Sequence, residues 1–343
     1  MYTVAVDLGK RKSQVAVFEE DGELHSEFKM ANQKEGFVRL VRKLREPVQV
    51  VCETGNKCFW LADLMTEAGA EMHVANAYKV KLIAEARIKT DKVDARVLGQ
   101  LLRAKFLPEV YVVPKEIRDW RELLRGRSFL VRIRTQLYNR IHAVLDRYGE
   151  EYETSQIHRA GAGAWIESLS LPEPIRGALG RYLEVIGKVT EHLKGFEKDL
   201  WEKVKTDEKA RQIVGRLETI PGIGRLTALA LYLELVDIKR FAEVKKLCGY
   251  IGIVPGVHQS GEVHRGGRLT KQGNALLRWM ITEAAWSAVL TTAYYKQLHQ
   301  RHARRIGASR AILPVARALL GVVYRVWSEK KTYEELYIKP AAR

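Results

Sequence analysis

The sequence predicts an α/β layer joined to an all-α region, and three observations carry that prediction. Short apolar runs alternate with turn signals and helical patterns over residues 2–74. A long Arg-rich helical pattern over 115–147 is followed by an apolar heptad seam over 179–200. Apolar helical patterns then fill residues 213–327, broken by one glycine-rich stretch from Cys248 to Asn274. The 343 residues allow two or three domains with a sizeable core, and a hydrophobic content of 46% belongs to a globular chain.

In chain order, residues 2–7 form an apolar run ending in Asp7, and Leu8-Gly9-Lys10 turns the chain. Val15–Phe18 is a second strand, Asp21-Gly22 a hairpin turn signal, and Leu24–Met30 a third strand. Phe37, Leu40, Val41 and Leu44 give residues 35–45 one apolar helical face, and Pro47 stops that helix. Val48–Cys52 reads as a buried strand ending in Glu53. A helix with Phe59, Trp60, Leu61 and Leu64 follows, then a strand over Glu71–Val74. A three-stranded meander followed by helix, strand, helix and strand implies a mixed sheet.

Asp7 and Glu53 thus close two apolar strands at their C-terminal ends, the edge where open α/β sheets bind ligands. Thr90-Asp91-Lys92-Val93-Asp94-Ala95 opens a further helix, capped by Thr90 or Asp91, with Asp91 and Asp94 on one face. Four carboxylates so placed suit a pair of hard divalent cations such as Mg²⁺, which take oxygen ligands and serve phosphoryl displacement. Three of them also have a plain structural reading: Asp7 as a turn residue, Asp91 as a cap, and Asp94 on a solvated helix face near Arg96.

Charge points to the partner. Lys and Arg number 58 against 41 Asp and Glu, a net charge of +17 spread along the whole chain. Such a surplus favours a polyanion, nucleic acid first, over a merely solvated basic surface. No apolar run reaches the ~18 residues of a membrane span. The chain opens on a strand pattern and not on a signal-peptide core, so a cytoplasmic protein without a membrane partner is expected. Cys52, Cys58 and Cys248 are odd in number and lack CxxC spacing, which indicates neither a disulfide framework nor a zinc site.

Over 115–147, Arg118, Arg121, Arg125, Arg127, Arg132, Arg134, Arg140 and Arg147 interleave with Trp120, Phe129 and Tyr138. That mixture suits a nucleic-acid backbone; a salt-bridged helix is the alternative. Gly149–Gly163 is polar and small and reads as a linker. Leu179, Tyr182, Ile186, Val189, Leu193, Phe196 and Leu200 then repeat in steps of three and four. This seam fits a dimerisation arm or an internal hairpin with the Arg-rich helix. The expected division is 1–112, 113–210 and 211–343.

Ile220-Pro221-Gly222-Ile223-Gly224 precedes an apolar helix, and Gly222 and Gly224 can bare backbone N–H groups to a DNA phosphate. The glycine-rich stretch Cys248–Asn274 reads as a loop. It surrounds Ser260 with His258, His264, Arg265, Arg268 and Lys271, a hydroxyl among cations that suits phosphate. Thr270 is the expected cap of the next helix. A basic segment over Tyr294–Arg310 and an apolar closing helix over 311–327 complete the chain.

Val6-Asp7-Leu8-Gly9-Lys10, Cys52-Glu53-Thr54-Gly55-Asn56 and Thr90–Ala95 resemble the Asp-Glu-Asp-Asp signature of the IS110-type transposases, a group that includes the Piv-type DNA invertases. Val254–Gly261 and Arg268–Asn274 look like the C-terminal domain of the same family, and Ile220–Gly224 like a helix-hairpin-helix turn. Glu262 departs from the pattern, where many members carry glycine. The resemblance implies an RNase H-like, RuvC-like N-terminal domain, a helical coiled-coil middle and a helix-hairpin-helix-containing C-terminal domain. It implies Mg²⁺ on Asp7, Glu53, Asp91 and Asp94, and Ser260 as the nucleophile on DNA phosphorus. It further implies a homodimer or tetramer with composite active sites, and a bridge RNA that guides donor and target DNA. Two other readings stay open: a junction-resolving nuclease that uses water, and a non-catalytic nucleic-acid-binding protein.

Overall fold

The computed structural model describes residues 1–44, 47–83, 90–260, 263–269 and 272–338; over 255–260 and 263–268 it describes the backbone. The chain forms two compact units, Met1–Lys115 and Glu116–Arg343.

The first unit holds β1 (Tyr2–Asp7), β2 (Lys12–Phe18), β3 (Leu24–Ala31), α1 (Lys34–Leu44), β4 (Val48–Glu53), α2 (Cys58–Glu67), β5 (Glu71–Ala75), α3 (Ala77–Ile83) and α4 (Asp91–Arg103). Its sheet has the order β3-β2-β1-β4-β5. β1, β2 and β3 pair antiparallel, while β4 and β5 add in parallel through helical crossovers. This is the mixed sheet that the meander and crossovers predict.

Both faces are covered, which is why β1, β2 and β4 read as near-continuous apolar runs. Val4, Val6, Val15, Val17, Val50 and Cys52 pack with Phe37 of α1 and Leu61 and Met65 of α2. The alternate residues Ala5, Ala16, Phe18, Val51 and Ala75 pack with Ala95, Leu98 and Leu102 of α4. Thr90 caps α4, its Oγ1 accepting from the Val93 N–H at 3.3 Å.

The second unit contains α5 (Lys115–Arg147, its first residue in the first unit), α6 (Thr154–His158), α7 (Ala162–Glu167), α8 (Glu173–Thr206), α9 (Glu208–Glu218), α10 (Arg225–Leu235) and α11 (Val244–Ile251). β6 (Pro255–Ser260) and β7 (Val263–Leu269) follow, then α12 (Ala275–Thr291), α13 (Ala293–Ile306), α14 (Ala308–Glu329) and α15 (Tyr333–Tyr337).

The heptad seam packs inside the chain. At one end, Trp120 and Leu124 of α5 share a core with Leu200 and Val204 of α8. At the other, Ile141 and Leu145 share one with Leu179 and Ile186, so the two helices run antiparallel. Between them the Phe196 ring abuts Gly126, and Arg127 meets Glu197 at 2.7 Å. The linker expected over Gly149–Gly163 is instead structured: it contains α6 and the start of α7, and Ile157 and Ile166 are buried in the core of the hairpin tip. Small polar residues there surround one apolar anchor per short helix, which composition alone hides.

α10 is buried from Ala228 to Leu235, as expected of a helix apolar on every side. α14 is long and apolar enough to cross a membrane by length and composition. Nine of its residues, from Ala311 to Trp327, are buried in this unit, where it serves as a core helix.

Candidate functional site

The sheet register settles where the strand-end carboxylates stand. Asp7 pairs with Gln14 across the antiparallel β1–β2 ladder, and Gln14 with Lys29 across β2–β3. The parallel β1–β4 ladder pairs Val6 with Cys52, so Asp7 and Glu53 are the next neighbours along it. Side chains alternate between faces, and Ala5 and Val51 face α4. Asp7 and Glu53, two residues on, therefore lie on that same face, each half-buried. α4 brings Asp91 and Asp94 to this face in its first turn. Lys29 Nζ donates to Asp91 Oδ2 at 3.0 Å, while Asp94 is half-buried beside the buried Ala95. All four carboxylates predicted from sequence thus belong to one side of one sheet.

Their chemistry fits a hard cation, being all oxygen and anionic. They stand on one side of the sheet, at two strand ends and in the first turn of α4. Among the described residues, no three His, Cys, Asp or Glu side chains are gathered closely enough to hold an ion. Asp91 is turned toward Lys29, with 63% of its side chain exposed.

Ser260 closes β6 and is the partner of Val263, which opens β7. The stretch expected as a loop is therefore an antiparallel strand pair, preceded by α11, which runs through Cys248 to Ile251. Glycines mask such a pair in sequence because they lower strand propensity while leaving backbone pairing intact. Arg265 lies opposite His258, and Arg268 lies on β7 one residue before Leu269, the partner of Pro255. Lys271, Thr270 and Glu262 lie outside the described residues. The cap of α12 is Asn274, not Thr270: its Oδ1 accepts from the Leu277 N–H at 3.0 Å.

The base of this strand pair is tied to the core. Arg317 Nε donates to the Ile253 carbonyl at 2.9 Å, and the Asn274 N–H to the Tyr250 carbonyl at 3.1 Å. Asn274 Nδ2 donates to Glu234 Oε2 at 2.8 Å. Glu234 was not legible as a key residue, since it sits in an apolar helix with no motif around it. It is 1% exposed. Arg125 Nε and Nη2 donate to its two carboxylate oxygens, both at 3.1 Å. Arg121 Nε and Nη2 donate to the carbonyls of Leu233 and Glu234 at 2.7 and 2.9 Å.

This corrects part of the Arg-rich reading. Arg121 is buried, and burial pushes its guanidinium below the ordinary value while Glu234 opposes the shift. Arg121 serves the core, and Arg125 spends its guanidinium on Glu234, because an apolar helix carrying a lone carboxylate needs internal cations. Arg118 is half-buried, whereas Arg132 is exposed with its guanidinium 5.8 Å from the Phe129 ring centre. Arg125, Arg132, Leu276 and Trp279 line a cavity of about 550 Å³ beside α12. Trp279 is 48% exposed there, an aromatic surface that the sequence pattern of a core helix conceals.

The two hairpin glycines part ways. Gly222 has φ +86°, and a Cβ there would lie 2.4 Å from the Ala284 carbonyl oxygen. Its role is a tight turn against α12. Gly224 is exposed, at the N-cap of α10, with open space around it. The three cysteines are buried, and burial pushes the Cys52 and Cys248 thiols up, so neither is poised as a thiolate.

Comparison with known proteins bears on both units. A family model described as Transposase IS116/IS110/IS902 family matches residues 214–300, a span that includes Gly222, Gly224 and Ser260. An IS110-type DEDD transposase model matches residues 4–150, a span that includes Asp7, Glu53, Asp91 and Asp94. The transposase for insertion sequence element IS1111A of Coxiella burnetii is 27% identical over 96% of this chain and 90% of its own. The transposase for insertion sequence element IS1328 of Yersinia enterocolitica is 24% identical over 82% of each chain. The pilin gene-inverting protein of Moraxella bovis is 24% identical over 41% of this chain and 44% of its own. Two models of one family, in the expected order and over more than half of the sequence, place the chain in the IS110 family of transposases.

Proposed function

We propose that the chain cuts and rejoins DNA through a covalent Ser260–DNA intermediate, with Mg²⁺ held by Asp7, Glu53, Asp91 and Asp94. One observation carries this reading: the four carboxylates lie on a single sheet face, at the ends of neighbouring strands and in the first turn of α4. A half-buried carboxylate pair at a sheet edge suits cation binding better than packing.

In this reading Ser260 Oγ bonds to the scissile phosphorus as the P–O3′ bond breaks. The 5′ phosphate stays on the serine, the hydroxyl proton leaves to His258 or water, and a proton passes to the 3′ oxygen. Mg²⁺, when bound, neutralises phosphoryl charge and eases departure of the leaving oxygen. Arg265, Arg268 and Lys271 hold the phosphate oxygens. Attack by another 3′ hydroxyl reverses the step and frees the serine, so the bond energy is kept for rejoining. Arg118, Arg132 and Gly224 hold nucleic-acid backbone.

The partition into 1–112, 113–210 and 211–343 belongs to the same reading, as metal-binding domain, arm and serine domain. So do a homodimer or tetramer with composite sites and a bridge RNA that pairs with donor and target DNA; the net charge of +17 supports a polyanion partner. The reaction takes place where the DNA is, in the cytoplasm.

Denaturing electrophoresis of labelled DNA after incubation with protein and Mg²⁺ tests the nucleophile. Wild type should give a protein–DNA adduct, and Ser260→Ala should bind DNA yet give none. An adduct in Ser260→Ala moves the nucleophile elsewhere. Cut DNA without an adduct in wild type would favour activated water.

A further inference from the structure

Among the described residues, five polar or charged residues are buried: Thr3, Ser13, Gln14, Arg121 and Glu234. Four of them are hydrogen-bonded. Gln49 Nε2 donates to Thr3 Oγ1 at 2.6 Å, and Ser13 Oγ to Asn32 Oδ1 at 2.5 Å. Arg121 and Glu234 satisfy each other and their neighbours. Gln14 differs. It is 2% exposed, and neither its amide oxygen nor its amide nitrogen has a hydrogen-bond partner. A buried amide left unpaired destabilises a fold, so its presence requires a reason.

Its position supplies one. Gln14 is the cross-strand partner of Asp7. Such partners share a sheet face with their Cβ atoms roughly 5 Å apart. Gln14, Asp7 and Glu53 therefore form one row on the α4 face, with Asp7 in the middle. Lys29 continues the row on β3 and reaches Asp91 at 3.0 Å. The one unpaired buried amide among the described residues thus faces the carboxylates that the metal reading requires.

We propose that Gln14 is a positioning residue of the cation site. Its amide nitrogen orients an Asp7 oxygen, and its amide oxygen accepts from a water carried by the ion. The proposal rests on the Mg²⁺ reading above. An amide suits the task because it offers donors and an acceptor together without adding a fifth negative charge to the site. An apolar side chain of similar length would fill the same buried position without leaving polar atoms unpaired. The amide is useful only where something polar arrives to pair with it.

The test uses Mn²⁺ as probe on the full chain, with the free Mn²⁺ signal followed by electron paramagnetic resonance and metal-free thermal unfolding measured alongside. Asp7→Asn should lose Mn²⁺ binding. Gln14→Leu and Gln14→Met, made in parallel so that a folding failure of one leaves the other to decide, should weaken binding by about 10- to 100-fold. Their metal-free Tm should equal or exceed that of wild type. Wild-type Mn²⁺ affinity in the Gln14 variants, with binding lost in Asp7→Asn, overturns the proposal and leaves the metal reading standing. Wild-type affinity in Asp7→Asn removes the metal reading, and this proposal with it.

Discussion

The two units treat their central carboxylates in opposite ways. In the first, Asp7 and Glu53 are half-buried at a sheet edge, and Asp91 keeps 63% of its side chain exposed. In the second, Glu234 is 1% exposed and is met by Arg125, Arg121 and Asn274. A buried charge persists when the fold supplies its counter-charges, while a carboxylate at an edge, such as Asp91 beside Lys29, pairs at the surface and keeps water around it. The same contrast runs through the arginines of α5. Arg121 is turned inward and Arg132 outward, eleven positions along one helix.

The strongest break in this comparison is catalytic. Asp7→Asn or Asp94→Asn should abolish recombination while the protein still unfolds in one cooperative transition. A plasmid recombination assay beside a denaturant melt checks both halves. Recombination at the wild-type rate in either variant would remove the acidic edge from the chemistry. Glu234→Ala should do the reverse. It leaves Arg121 and Arg125 without their carboxylate and should cost about 3–5 kcal/mol, a large part of a typical domain's stability. A denaturant midpoint close to wild type would show that the network is dispensable.

Gly222→Ala sharpens the distinction between the hairpin glycines. The positive φ and the Ala284 carbonyl 2.4 Å from the added Cβ should together cost about 1–3 kcal/mol. Gly224→Ala meets open space and should leave stability nearly unchanged while weakening DNA binding, if its N–H contacts phosphate. Thermal melts of the two variants side by side decide this. The smallest change is the one expected at a single arginine, read as a slope. DNA affinity should fall by about three decades between ~50 and ~200 mM salt if six or more phosphates are contacted. Arg132→Ala should reduce that log–log slope by about one, and Arg121→Ala should lower the melting temperature instead. Equal slopes for wild type and Arg132→Ala would take Arg132 out of the interface.

The sequence by itself determined the elements and the place of two strand-end carboxylates. Strand and helix periods are local properties, so β1 to β5, the helix over Lys115–Arg147 and the seam from Leu179 to Leu200 stand close to where the pattern places them. Asp7 and Glu53 were legible because a carboxylate that ends an apolar strand is a local event. The tertiary structure decided everything that depends on a partner distant in sequence. It chose α5 as the mate of the heptad seam and paired residues 255–260 with 263–269 despite their glycines. It turned Arg121 and Arg125 onto Glu234, more than a hundred positions away. It also set the register that puts Gln14 beside Asp7 and leaves its amide unpaired. Periodicity states which face of an element is apolar; what covers that face, and which polar atoms are thereby cut off from water, follows only from packing in three dimensions.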